Sequence, residues 1–123
     1  MGRGVVNSYR DLKVWQQSMN LAEMAYQLTR DFPKQEMYGM SSQIRRAAAS
    51  VPANIAEGYG RGSRGDYVRF LRIAQGSLKE LETHILLAQR VQLMQLAQSD
   101  LALHQCESVG KLLHLLIKSL QKR

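Results

Sequence analysis

The stretch SVPANIAEGYGRGS, residues 50–63, places a proline, an asparagine, a glutamate and three glycines directly after a helical pattern. Its reading decides whether the chain holds one long helix here or two short pieces. Ile44, Ala48, Val51 and Ile55 stay in helical phase across Pro52, so the helix is expected to continue through the proline with a bend. One backbone hydrogen bond near Ala48 is lost, and the Ser50 hydroxyl is placed to offset part of that loss. The break is expected later, at Gly58, Gly60 and Gly62, because a residue without a β-carbon suits the left-handed turn that ends a helix. The stretch thus reads as a kinked, packed helix end followed by a basic turn.

Outward from it, four segments carry a helical period and none carries a sustained period of two. The first follows Asn7 or Ser8 as N-cap, with Asp11 three residues after Ser8 completing a capping-box pattern, and presents Leu12, Trp15, Met19, Ala22 and Tyr26 at spacings of three and four. Leu21, Met24, Ala25 and Leu28 form a second apolar face on it. In the second, after Pro33, Gly39 weakens the early part and Ser41 offers another start. The third is capped by Ser63, with Asp66 three residues on, and presents Tyr67, Phe70, Leu71, Ala74, Leu78, Leu81, Ile85 and Ala88, flanked by Leu86 and Leu87. The fourth carries Leu101, Val109, Leu112, Leu116 and Leu120, with Leu113 and Ile117 beside them, and ends in the cations Lys118, Lys122 and Arg123. The expected boundaries are about 9–30, 34–59, 64–91 and 98–121. With connections of a few residues, the fold is an all-α, antiparallel up-down-up-down four-helix bundle, helix two kinked at Pro52, in a single domain spanning 1–123. The wide apolar faces suit either the bundle core or self-association.

A chain of 123 residues, 45% hydrophobic and 22% charged, has the composition of a folded globule. The lone Cys106 can form no internal disulfide, the opening MGRGVVNSYRDLKVW is too polar for a signal peptide, and LLHLLIKSL is interrupted by His114 and Lys118. A cytoplasmic location without membrane contact is expected. The charge is +7, and it is uneven. Residues 39–79 hold seven cations, Arg45, Arg46, Arg61, Arg64, Arg69, Arg72 and Lys79, against Glu57 and Asp66, a local charge of +5. Such an excess either solvates helix surfaces or meets a polyanion.

LKVWQ (12–16), FPKQEMYG (32–39), QIRRAAASVPANIAEG (43–58) and GSLKELET (76–83) together resemble the 23S rRNA intervening-sequence protein family, also called four helix bundle proteins. The resemblance covers residues 12–83, with a looser match in the fourth helix and a departure at VQLMQ (91–95). It implies a bacterial four-helix bundle assembled as a homopentamer, with relatives among the basic accessory proteins of diversity-generating retroelements, which work with nucleic acid. It implies no catalytic activity. Asn54, Glu57, Ser77 and Glu80 fall on recurrent motif positions of that family.

The catalytic constellations are poor. Glu80 with His84 and His104 with Glu107 could face one another across helices three and four, but a bundle di-metal site needs carboxylates from all four helices, and helices one and two offer only Glu23 and Glu57. Neither a metal nor any other cofactor is expected. Cys106 and His104 are two apart on one helix and point in different directions, Ser77 has no activating histidine, and GYGRGSRG follows a helix and lacks the lysine-hydroxyl ending of a phosphate loop. Arg46, Asn54, Glu57, Ser77 and Glu80 read as a structural polar network, with Arg46 reaching Glu80 or Glu57. The nucleic-acid reading rests on Arg61 and Arg64 in the turn, Arg69 and Arg72 on helix three, Arg45 below them, and Tyr59 and Tyr67 beside the turn as stacking groups. The expected function is therefore a non-enzymatic, oligomeric binding module for nucleic acid, RNA before DNA. The alternative is a scaffold or adaptor for a protein partner.

Overall fold

The computed structural model describes residues 5–122; Arg123 of the cationic tail and the first four residues of the polar opening lie outside the described residues. Four α-helices form the fold: α1 Lys13–Thr29, α2 Met40–Tyr59, α3 Arg64–Arg90 and α4 Leu96–Gln121. Each packs on its neighbours in chain order and α4 closes against α1, giving a four-helix bundle without a strand among the described residues. Its centre is filled by Leu21, Ile44, Val51, Ile55, Leu71, Leu78, Leu81, Ile85, Val109 and Leu113.

Local chemistry sets the helix starts. Ser8 and Asp11 do form the capping box, but it closes only a 3-10 turn, Tyr9–Asp11. Leu12 then adopts an extended backbone (ψ 127°), and α1 begins at Lys13, not near residue 9. Lys34–Glu36 is likewise a separate 3-10 turn. Gly39 precedes α2 with φ −112° and ψ −113°, and Glu36 Oε1 accepts from the Met40 N–H at 3.2 Å, which supplies the missing cap. Ser63 Oγ accepts from the Asp66 N–H at 3.2 Å and starts α3 where expected. Gln95 and Gln98 build a reciprocal cap that starts α4 at Leu96, two residues earlier than the apolar pattern suggests. Between α3 and α4, Gln92 takes a positive φ of 67°, and the Leu93 N–H returns to the Ala88 carbonyl at 2.8 Å.

α2 runs unbroken through Pro52, which is buried at the floor of a groove between α1 and α2. The Ser50 hydroxyl is not turned back toward Ala48; it lies 2.8 Å from Ser77 Oγ on α3. Of the three glycines, only Gly62 is left-handed, at φ 86°. Gly60 closes α2 in a right-handed conformation, φ −81°. Gly58 is inside the helix for a different reason: a β-carbon there would sit 2.7 Å from Phe70 Cβ and 3.2 Å from the Tyr67 carbonyl oxygen. Hydrogen in place of a methyl is what lets the end of α2 approach the start of α3 so closely.

The buried stripe of α1 is Val14, Ser18, Leu21, Ala25 and Thr29, not the Trp15, Met19, Ala22, Tyr26 face. Both inward hydroxyls satisfy themselves on their own helix, Ser18 donating to the Trp15 carbonyl at 2.8 Å and Thr29 to the Ala25 carbonyl at 2.9 Å. Met19 and Tyr26 are exposed instead. With Trp15, Ala22, Pro52 and Ala53 they line an open groove between α1 and α2. On α4, Leu101 is 67% exposed, and the inward places go to Ser99, Ala102 and Cys106.

Candidate nucleic-acid interface

Residues 59–70 span the end of α2, the turn and about the first two turns of α3, and bring rings and guanidinium groups together. The close approach allowed by Gly58 sets Tyr59 against Tyr67, edge to face, with centroids 6.0 Å apart. Tyr67 is half-buried, and its hydroxyl is pushed up to about 12 by that burial and, second, by Tyr59. Phe70, one turn further, carries two cations: the Arg61 guanidinium carbon lies 4.9 Å and that of Arg69 4.5 Å from the ring centroid. Each cation also has a carboxylate. Arg61 Nε lies 3.5 Å from Glu57 Oε2, and Arg69 Nε 3.7 Å from Asp66 Oδ1. All four of these charged side chains stay about half open to solvent. Arg64, in the first turn of α3, is exposed beside them.

Other expected members lie elsewhere. Arg45 is sixteen residues before Arg61 on the chain, roughly 20 Å away along the axis of α2. There it donates from Nε to Thr29 Oγ1 at 2.8 Å and lies 4.9 Å over the Tyr26 ring, so it is committed to the α1 interface. Arg72 faces a second groove, between α3 and α4, with Lys79, Glu82, His104, Glu107 and Lys111. The cluster at the turn therefore comprises Arg61, Arg64 and Arg69 with Tyr59 and Tyr67. Phe70, assigned to the core stripe by periodicity, joins them. The signal for it was its place directly after Arg69 and three residues after Tyr67.

The polar network is also rearranged. Asn54 Nδ2 donates to the Ser50 carbonyl at 2.8 Å and to Ser50 Oγ at 2.9 Å, and Ser50 meets Ser77. Arg46 does not reach Glu57 or Glu80: it is exposed, while Glu57 pairs with Arg61 and Glu80 lies 3.5 Å from His84 Nε2. Ser50, and not Arg46, is the hub. His104 and Glu107 line the α3–α4 groove without Glu80 and His84, so the two pairs do not face one another. No three His, Cys, Asp or Glu side chains among the described residues are grouped to hold a metal ion. Cys106 is fully buried, and burial, with Glu82 adding and Lys79 opposing, raises its thiol to about 12. It is no thiolate nucleophile near neutrality. No helix among the described residues is long and apolar enough to cross a membrane.

The family model for the 23S rRNA-intervening sequence protein matches residues 10–115. The chain belongs to that family. A protein of unknown function from the S23 ribosomal protein family of Bacteroides thetaiotaomicron VPI-5482, known from its crystal structure, is 29% identical to this family member. The two superpose with a TM-score of 0.77 over 85% of this chain and 98% of the other. Comparison with curated proteins gives no match. Neither the family's description nor that of the solved relative names an enzymatic activity.

Proposed function

We propose that this member of the 23S rRNA-intervening sequence protein family is a non-enzymatic, oligomeric binding module that contacts nucleic acid through the turn between α2 and α3. The observation that carries the reading is the seating of Arg61 and Arg69 on one aromatic ring, Phe70, with both guanidinium groups half open to solvent. Such cations are ordered before a ligand arrives, so less side-chain freedom is lost on meeting a phosphate. RNA is put before DNA as the polyanion to test first, because the family is named for an intervening sequence of 23S rRNA. Several copies around a symmetry axis would multiply weak phosphate sites into useful avidity. The pentamer implied by the sequence resemblance is the assembly we assign, in the cytoplasm, and the exposed apolar groove of Trp15, Met19, Tyr26 and Pro52 supports a further packing surface. In this reading the frame is an up-down-up-down bundle with α2 bent at Pro52, supported by short connections and by the missing proline N–H.

The same groove is what favours the alternative, a scaffold or adaptor for a protein partner. A labelled structured RNA separates the two. Retention that weakens with salt and with Arg61→Ala, Arg64→Ala and Arg69→Ala supports the nucleic-acid module; no retention at low salt, with one protein co-purifying in fixed ratio, supports the adaptor.

A further inference from the structure

The two carboxylates at the turn each occupy one of the arginines seated on Phe70. Glu57 and Asp66 are the only anions among residues 39–79, and each is paired with one of the two arginines seated on Phe70. The pairs are local, i to i+4 along the end of α2 and i to i+3 in the first turn of α3. Both guanidinium carbons lie under 5 Å from one ring centroid, which keeps the two cations within about 10 Å of each other, near one screening length at physiological salt. Two like charges that close repel, and a carboxylate on each offsets the repulsion. A phosphate group presents the same donors with the same kind of acceptor, oxygen bearing negative charge.

The aromatic groups are less available. Phe70 is already in contact with both guanidinium groups, and Tyr67 is half-buried with Tyr59 set edge-on to it. A base stacking on Phe70 would have to displace a cation, and the tyrosine pair has already committed one edge and one face to each other.

We infer that the turn reads phosphate and not base, and that Glu57 and Asp66 are built-in competitors which hold the arginines in place and which a chain of phosphates displaces. This rests on the nucleic-acid reading and narrows it: one phosphate is a poor match for two occupied cations, whereas a polyanion engages both and the neighbouring Arg64 in every copy of the oligomer. The aromatic ring aligns the cations and does not touch the ligand.

The test uses the full-length protein with two probes, a labelled RNA hairpin and linear inorganic polyphosphate, which has the charge and no bases. Polyphosphate is expected to compete for the RNA site. Glu57→Gln and Asp66→Asn are each expected to tighten binding of both probes by about two- to five-fold, the size of an exposed ion pair. Asp31→Asn, an exposed carboxylate after the far end of α1, serves as the charge control and is expected to change affinity less than either. Melting curves of the variants establish folding, and because Glu57 and Asp66 are half open to solvent the two single variants provide independent readings. RNA binding without polyphosphate competition, or Gln and Asn variants that bind no tighter than Asp31→Asn, overturns the inference and leaves the nucleic-acid reading standing. Failure of both probes to bind overturns both.

Discussion

Ser50 and Ser77 place their hydroxyl oxygens 2.8 Å apart, one on α2 two residues before Pro52 and the other on α3. Farther along the same interface Gly58 meets Tyr67 and Phe70, so positions rising on α2 are matched by positions falling on α3. Asn54 adds two bonds to Ser50, and the three side chains form one half-buried unit. Removing the hub leaves two polar groups without this partner, which costs about 1 to 3 kcal/mol. Ser50→Ala is therefore expected to destabilise more than Ser77→Ala, and adding Ser77→Ala to Ser50→Ala to cost little more. Denaturant unfolding of the double-mutant cycle measures this coupling.

Gly58 and Gly76 make opposite predictions for the same substitution. At Gly58 a methyl would lie 2.7 Å from Phe70 Cβ, so Gly58→Ala is expected to lower stability by about 1 to 3 kcal/mol despite the better helix propensity of alanine. At Gly76, inside α3, nothing lies within 4 Å of the added carbon. Gly76→Ala is expected to gain up to about 1 kcal/mol. Thermal melts of the two variants check the sign directly.

Alkaline pH should weaken the fold. The Cys106 thiol is raised from its ordinary 9.0 to about 12 and the Tyr67 phenol from 10.0 to about 12, each chiefly by burial. Between those limits the unfolded chain gives up protons that the native chain keeps, so the native state binds more protons and stability falls as pH rises. Below pH 9 the contribution is fully present. A melting series from pH 8 to pH 12 is expected to show a falling midpoint, with a shallower fall for Cys106→Ala and for Tyr67→Phe than for the parent.

Arg45 separates a packing arginine from a binding one. Its guanidinium is bonded to Thr29 and laid over Tyr26, at the opposite end of α2 from the turn. Arg45→Ala is expected to reduce stability by about 1 kcal/mol through lost packing and one hydrogen bond, while RNA affinity changes less than two-fold. Filter binding beside a thermal melt gives both readings from one preparation.

The bundle was legible because Ile44, Val51, Ile55 on α2 and Leu71, Leu78, Leu81, Ile85 on α3 obey a helical period with large apolar side chains. The inner face of α1 was legible only in part, through Leu21 and Ala25 on its second apolar face. Its inward Ser18 and Thr29 are polar by composition yet bond their own helix, and its outward Met19 and Tyr26 are apolar yet exposed, so hydropathy alone does not choose between its two apolar faces. Ser99 hides in α4 by the same device, donating to the Leu96 carbonyl at 2.9 Å. At the turn, the charges and tyrosines were visible from spacing, but the seating of two cations on Phe70 was not, since it depends on how closely Gly58 lets two helices approach. Arg45 and Arg72 illustrate the converse: residues near in a count of charges diverge when one is held on Thr29 and Tyr26 of α1 and the other faces the α3–α4 groove.

The most direct test of the account is the salt dependence of RNA binding for the parent and for Arg61→Ala/Arg69→Ala. Each phosphate contact removed takes roughly 0.7 to 0.9 from the slope of log affinity against log salt. The double variant is therefore expected to bind more weakly at low salt and with a slope shallower by about 1.4 to 1.8 per turn engaged. An unchanged affinity and an unchanged slope in a variant that melts like the parent would contradict it.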